Sequence, residues 1–162
     1  MASGEEHRSG IGYDSHRFVV GGPIRLGGVD IPCEFHLAAH SDGDAVCHAV
    51  TDAILGAAGL GDIGALFPDD DPANEDRDSI EMLSLAVERV VDGGLRVVHV
   101  DVTVIAEVPR IGAHRDAMRA RLAGALRVTT EAVSIKGKSN EGMGWIGRRE
   151  GLACFAIATL AR

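Results

Sequence analysis

Val98, Val100, Val102 and Val104 alternate with His99, Asp101 and Thr103, the period-two pattern of a β-strand packed on one face. His99 then falls on the surface or between subunits. Ile80, Leu83, Val87, Val90 and Val91 recur instead at helical spacing, opened by Asp78 with Glu81 as a capping box and closed by Gly93-Gly94. This helix reads as purely structural. In a second helix starting near Asp44, Val46, Ala49, Val50, Ala53 and Ala57 share one face and Asp44, His48, Thr51 and Asp52 the other. Ser41 with Asp44 gives that helix an acidic form of capping box, and its polar stripe reads either as a solvated face or as part of a site if ligands elsewhere in the chain join it.

Met118, Leu122 and Ala125 mark a third helix, with Arg115, Arg119 and Arg121 on a solvated side. Val133 and Ile135 begin another strand, and a last apolar strand runs from about Leu152 to Leu160. Near the start, Ser9 to Phe18 and Ile24-Arg25-Leu26 read as a hairpin-like pair of short strands turned at Gly21-Gly22-Pro23. The stretch from Gly61 to Pro72 is too rich in Gly, Pro and Asp for regular structure. Interleaved strands and helices predict an α/β (α+β) fold: a single layer of mixed β-sheet with helices packed on one face.

A chain of 162 residues supports one domain, expected over 10–162 behind a flexible N-terminus at 1–9. Aromatics at 4% leave a core of Val, Ala, Leu and Ile, which suits close helix-on-sheet packing. The net charge of −8 argues against a nucleic-acid surface, though small anions can bind at local basic spots. No apolar run approaches the roughly 18 residues of a membrane helix, and Met1 to Glu6 lacks a signal peptide, so a cytoplasmic location with no membrane partner is expected. Cys33, Cys47 and Cys154 form no C-x-x-C and read as small buried or half-buried hydrophobes.

Candidate chemistry begins at Asp14 and His16, which point the same way from an extended segment. Such a pair is either an exposed polar edge or half of a chelate. With His48 it would supply three protein ligands and leave a position open, the arrangement of catalytic zinc. Gly137-Lys138-Ser139 looks like the end of a P-loop but fails on context: the first glycine would fall at Ala132, and Val133 and Ile135 read as strand. A glycine-rich segment with Lys138, Ser139, Glu141 and Arg148 remains, suited to phosphate oxygens and a hard cation.

Three longer stretches carry a resemblance. They are Gly12-Tyr13-Asp14-Ser15-His16-Arg17-Phe18; Ala39-His40-Ser41-Asp42-Gly43-Asp44 with His48 and Thr51-Asp52-Ala53; and Gly61-Asp62-Ile63-Gly64 to Phe67-Pro68-Asp69. Asp101-Val102-Thr103, Pro109 and the 141–151 segment follow in order. Over roughly residues 8–160 the chain resembles the 2-C-methyl-D-erythritol 2,4-cyclodiphosphate synthase family.

The resemblance implies a homotrimer with active sites between subunits, Zn²⁺ on Asp14, His16 and His48, and Mg²⁺ or Mn²⁺ at Glu141 bridging the substrate's phosphates. It implies conversion of 4-diphosphocytidyl-2-C-methyl-D-erythritol 2-phosphate to the 2,4-cyclodiphosphate with release of CMP, in the non-mevalonate route to isoprenoids. His40 and Ser139 match the family's transition-state stabilisers, Ser139 standing where Thr is more usual. Ser41, Asp62, Ile63, Gly64 and the Phe67 to Asp71 loop, including Asp69, match the erythritol and phosphate side. Ala106, Pro109, Arg110, Ile111 and Gly112 match the cytidine pocket, and Lys138, Asn140 and Trp145 lie in the facing segment.

Arg110 stands where Lys is common, Gly112 where a larger apolar residue is, and Lys138 where many members have Thr. Arg148 matches a residue that in some relatives lines an apolar cavity on the trimer axis and binds an isoprenoid diphosphate; Phe155 falls where some of those carry Glu. The same residues also fit two other functions: a zinc phosphohydrolase using bound water, or a trimeric metal- or nucleotide-binding protein without turnover.

Overall fold

The computed structural model describes residues 4–162. Seven strands and five helices are arranged as β1 (His7–Val20), β2 (Ile24–Leu26), β3 (Val29–Ile31), β4 (Phe35–Leu37), α1 (Ala45–Ala58), α2 (Ile63–Leu66), α3 (Ser79–Asp92), β5 (Arg96–Ile105), α4 (Arg115–Leu126), β6 (Val133–Lys138), α5 (Gly144–Gly147) and β7 (Gly151–Ala161). The main sheet runs β4-β1-β7-β5-β6, antiparallel except for the β5/β6 pair, which α4 connects. It is the mixed sheet expected of the chain.

Each strand divides its residues between two environments. On one face Val100, Val102 and Val104 of β5 and Leu152, Cys154, Ala156, Ala158 and Leu160 of β7 are buried with the helices. On the other, Ile11 and Tyr13 of β1 stay exposed opposite Ile157 and Phe155 of β7. The alternation in β5 slips at a bulge between Val97 and His99, so the inward set starts at Val97, resumes at Val100, and leaves Val98 only half-buried.

What brings α1 onto the sheet is the absence of side chains. A methyl at Gly12 would sit 1.8 Å from the Ala49 carbonyl oxygen, and one at Gly10 2.2 Å from that of Ala53. The two glycines share the face of β1 that carries Asp14 and His16. The helix backbone therefore rests directly on the strand, beside the residues that carry the chemistry.

Several sequence expectations need correction. The strand around Asp14 does not form a hairpin with Ile24–Leu26; it pairs with β7 and β4, while β2 pairs with β3. Its length comes from a partner at the far end of the chain, which local patterning does not reveal. It also begins at His7, so residues 7–9 are strand rather than flexible terminus, and residues 1–3 lie outside the described residues. The Gly61–Pro72 stretch contains α2 and leads into a short 3₁₀ turn at Pro72–Asn74.

The polar stripe of α1 is largely enclosed, with His48 and Asp52 half-buried. Asp44, not Ser41, caps the helix, accepting from Cys47 N at 3.0 Å and also from Gly27 N at 2.8 Å and Gly28 N at 2.6 Å. Gly27 and Gly28 both have positive φ, which turns their amides toward the carboxylate and ties the β2–β3 hairpin to the start of α1. Thr51 donates back to Cys47 O, and Asp52 accepts from Ile63 N, fixing α2. Asp44 and Thr51 are fully buried, because the hairpin and α3 cover the side of α1 away from the sheet. The arginines of α4 are likewise not all solvated: Arg119 donates to the carbonyls of Val133 and Thr130.

Cys33, Cys47 and Cys154 are all free thiols. Burial pushes the Cys47 and Cys154 thiols up, so both behave as small hydrophobes. No helix among the described residues is long and apolar enough to cross a membrane.

Candidate metal centre and cleft

Asp14 and His16 project from β1 toward α1, where His48 stands one residue before the Gly12–Ala49 contact. Asp14 Oδ2 lies 2.7 Å from His16 Nε2 and 3.1 Å from His48 Nδ1, and the two ring nitrogens are 3.4 Å apart. Ligands about 2.0–2.1 Å from a tetrahedral zinc are separated by about 3.3 Å, so the three atoms are spaced as for one small cation. His16 Nδ1–H donates to Ala38 O at 3.0 Å, which leaves the lone pair of Nε2 facing the cluster. Two imidazoles and a carboxylate converging in this way fit a divalent metal.

Burial raises the Asp14 carboxyl and lowers the His16 imidazole, but their mutual hydrogen bond and charge outweigh it. Asp14 ends below the usual carboxylate range, with help from His48, and His16 above the usual imidazole range. The pocket favours a positive charge at this point, whether carried by a proton or by a metal ion.

The cluster opens on a cleft of about 960 Å³. His40, Ser41, Ile63, Gly64, Phe67, Asp69 and Asp71 all line it with the three ligands. Ser41 Oγ also lies 3.1 Å from His48 Nε2. His40 is exposed, and its carbonyl accepts from Asp76 N, fastening the 68–77 loop to the cleft's lip. Phe67 is 7% exposed, with the Arg77 guanidinium 5.2 Å from its ring centre. Asp62 and Asp71 cap the turns that follow them, accepting from Ala65 N and Ala73 N.

The remaining sequence candidates gather elsewhere. Ala106 N donates to Lys138 O, and Ile111 packs over Gly137, so the 106–112 and 138–142 segments meet where the parallel β5/β6 pair ends. Pro109, Arg110 and Gly112 belong to that turn. Ser139 Oγ donates to Glu141 Oε1 at 3.0 Å, and Glu141 sits at φ 53°, a strained value for a side-chain-bearing residue. Asn140 Nδ2 donates to Met143 O. Trp145 lies on α5, and Arg148 pairs with Glu150 at 2.6 Å.

None of this second group lines the cleft. In register across the sheet Asp14 pairs with Cys154, Cys154 with Val104, and Val104 with Gly137. Three strand spacings, about 14 Å, thus separate Asp14 from Gly137, where the second group begins.

Glu107 and Ser79, absent from the sequence reading, and Asp42, read only as part of a motif, support these clusters. Glu107 Oε1 accepts from Asn140 N at 2.9 Å and Gly142 N at 3.2 Å and so braces the turn that carries Glu141. Ser79 and Asp42 stand behind His48. An acid just ahead of Pro109 was the available signal for Glu107; Ser79 was hidden by its place in an ordinary helix cap.

The sequence pattern of the YgbB family matches residues 7–161. The 2-C-methyl-D-erythritol 2,4-cyclodiphosphate synthase of Gemmatimonas aurantiaca is 63% identical over 153 residues, covering 94% of this chain and 92% of that protein. A solved structure of such a synthase in a CDP-bound form superposes with a TM-score of 0.87 at 37% identity, covering 94% of this chain and 99% of the other. The bifunctional IspDF of Campylobacter jejuni gives a TM-score of 0.93 at 39% identity; the match covers 97% of this chain and 42% of that longer one.

Proposed function

The chain belongs to the YgbB family, and from that premise we propose that it is a 2-C-methyl-D-erythritol 2,4-cyclodiphosphate synthase, a CMP-forming phosphorus–oxygen lyase of the non-mevalonate isoprenoid route. The observation that carries the proposal is the Asp14–His16–His48 cluster opening on a cleft walled by His40, Ser41 and the 63–71 segment.

In the proposed reaction an oxygen of the substrate's 2-phosphate forms a bond to the β-phosphorus. The bond from that phosphorus to the bridging oxygen breaks, and CMP leaves with the oxygen. Both reactants belong to one molecule, so the protein's task is to fold it and to neutralise charge on the transferred group. Asp14, His16 and His48 would hold Zn²⁺ and Glu141 a Mg²⁺ or Mn²⁺, and the chemistry these cations supply when bound is neutralisation of charge on the phosphate oxygens. His40 and Ser139 offer donors to the phosphoryl oxygens. Ile63 and Phe67 give the cleft an apolar wall that keeps out competing water. The 106–112 and 138–141 segments receive the cytidine diphosphate end.

Those segments serve another chain's cleft if the protein is a homotrimer with sites between subunits. Two observations support that assembly. Three strand spacings of the sheet separate the two groups in one chain, and none of the second group lines the cleft. The uncovered sheet face presents Ile11 at 68%, Tyr13 at 48%, Phe155 at 40% and Ile157 at 51% exposure, an apolar patch that calls for a protein neighbour.

Phosphorus NMR of the turnover mixture tests the reaction. CMP and a cyclic diphosphate are expected; a linear, hydrolysed product would overturn it. Sedimentation of the full chain tests the assembly, with a trimer expected.

A further inference from the structure

His48 meets the cluster through Nδ1, so for that nitrogen to ligate a metal its proton must reside on Nε2. Nε2 lies 2.9 Å from Ser79 Oγ and 3.1 Å from Ser41 Oγ, and a hydroxyl can either donate or accept. What stands behind Ser79 decides its role. Ser79 Oγ is hydrogen-bonded to Asp42 Oδ1, and an ionised carboxylate only accepts. The single hydroxyl proton of Ser79 is thereby committed to Asp42, and only lone pairs remain for His48.

Asp42 is itself held in place. Its Oδ2 accepts from Ser79 N at 2.9 Å, its Oδ1 from Asp44 N at 3.1 Å, and Arg25 Nε lies 3.3 Å away. Arg25, on β2, also pairs with Asp30 and Asp78. Ser79 is 1% exposed, so no water competes for its hydroxyl. A run of donors and acceptors with one allowed polarity thus extends from a guanidinium on the hairpin, through Asp42 and Ser79, to the imidazole.

We propose that Ser79, oriented by Asp42 and Arg25, is a positioning residue that fixes His48 as the Nε2–H tautomer and so presents Nδ1 to the metal. The inference deepens the proposed function and rests on its metal-site reading. It gives α3, otherwise a structural helix, a part in the active site through its first residue. It also releases Ser41, which lines the cleft, to bond a ligand.

The test uses the full chain with zinc as the probe. Zinc affinity, from competition with a chromophoric chelator, should fall roughly 10- to 100-fold in Ser79→Ala. The Ser41 hydroxyl, still able to accept from Nε2, bounds the loss. Ser79→Thr should restore wild-type affinity. In Asp42→Asn the amide can donate to Ser79, whose hydroxyl then turns to His48, so the loss should be at least as large.

Proton–nitrogen NMR of the zinc-loaded protein reads the bond to Ser79 independently of turnover, because in the metal-free protein Asp14 Oδ2, 3.1 Å from Nδ1, competes for the ring's proton. His48 should show an Nε2–H protected from exchange in the wild type and in Ser79→Thr, and lose that protection in Ser79→Ala. A folded Ser79→Ala protein with wild-type zinc affinity, or an unprotected His48 Nε2–H in the zinc-loaded wild type, would overturn the proposal. If Ser79→Ala does not fold, the wild-type Nε2–H signal and the Ser79→Thr titration decide it. Absence of CMP release with the zinc and NMR results standing would overturn the proposed reaction and leave the relay supported.

Discussion

Gly12→Ala tests whether the close approach of α1 to β1 builds the metal centre. The added methyl would lie 1.8 Å from Ala49 O and 2.8 Å from the Ala49 carbonyl carbon. A tolerable carbon–oxygen contact is about 3.3 Å, so the helix must retreat by about 1.5 Å. Neither partner is a flexible side chain, and the strain falls on two backbones. His48 adjoins Ala49 and moves with it, while Asp14 and His16 stay on the strand. Metal sites tolerate deviations of about 0.2 Å in ligand distance, several times less than this displacement. Zinc affinity should fall by more than ~100-fold, beyond the loss usual for supporting residues. Overpacking should also cost about 1–3 kcal/mol, or roughly 2–12 °C of melting temperature for a chain of this size. Melting is read with chelator present, which separates packing from metal binding, and zinc by competition titration. Gly56→Ala, on the same helix with nothing within 4 Å, is the control and should stabilise by about 0.5–1 kcal/mol. Wild-type melting and zinc affinity in Gly12→Ala would refute the reasoning.

Three further outcomes follow from the same structure. His48→Ala should lose zinc, by metal analysis, and CMP release, while sedimentation still gives the wild-type assembly; collapse of the assembly with zinc retained would assign the residue to structure. Asp44→Asn should destabilise by about 1–3 kcal/mol in urea denaturation, because the new amide confronts a backbone N–H that the carboxylate now satisfies. Burial raises the Asp101 carboxyl, but hydrogen bonds from Lys136 and Ser134 outweigh it and hold the group below its usual range. That pair stabilises the fold above the unfolded carboxyl's value near about 4 and fades as pH falls through the lowered folded value. In Lys136→Met the urea midpoint should therefore drop at neutral pH and change less on acidification below about pH 4 than in wild type.

The sequence disclosed chemistry better than connection. Alternation alone put Asp14 and His16 on one side of a strand, and helical spacing put His48 on the polar side of α1. The structure joins them because Gly10 and Gly12 remove the bulk between strand and helix, and a G-x-G in a strand was a readable sign of close approach. The stripe of α1, which read in isolation suits a solvated face, is enclosed for a related reason. Periodicity separates apolar from polar positions, but it does not say that a hairpin and a neighbouring helix bury the polar ones through hydrogen bonds. The pairing of β1 with β7 is non-local, so patterning around Asp14 carried no trace of it. Asp78 and Glu81 marked the start of α3 correctly, and that same clarity concealed Ser79 between them.

The distance between the two clusters has a genetic consequence. In the proposed trimer a defect at His48 spoils one site and a defect at Glu141 spoils a neighbouring one, because the two ends of a chain answer to different partners. Chains carrying the two lesions separately would then complement each other when assembled together, and an allele carrying both would damage at least two sites in every assembly it joined.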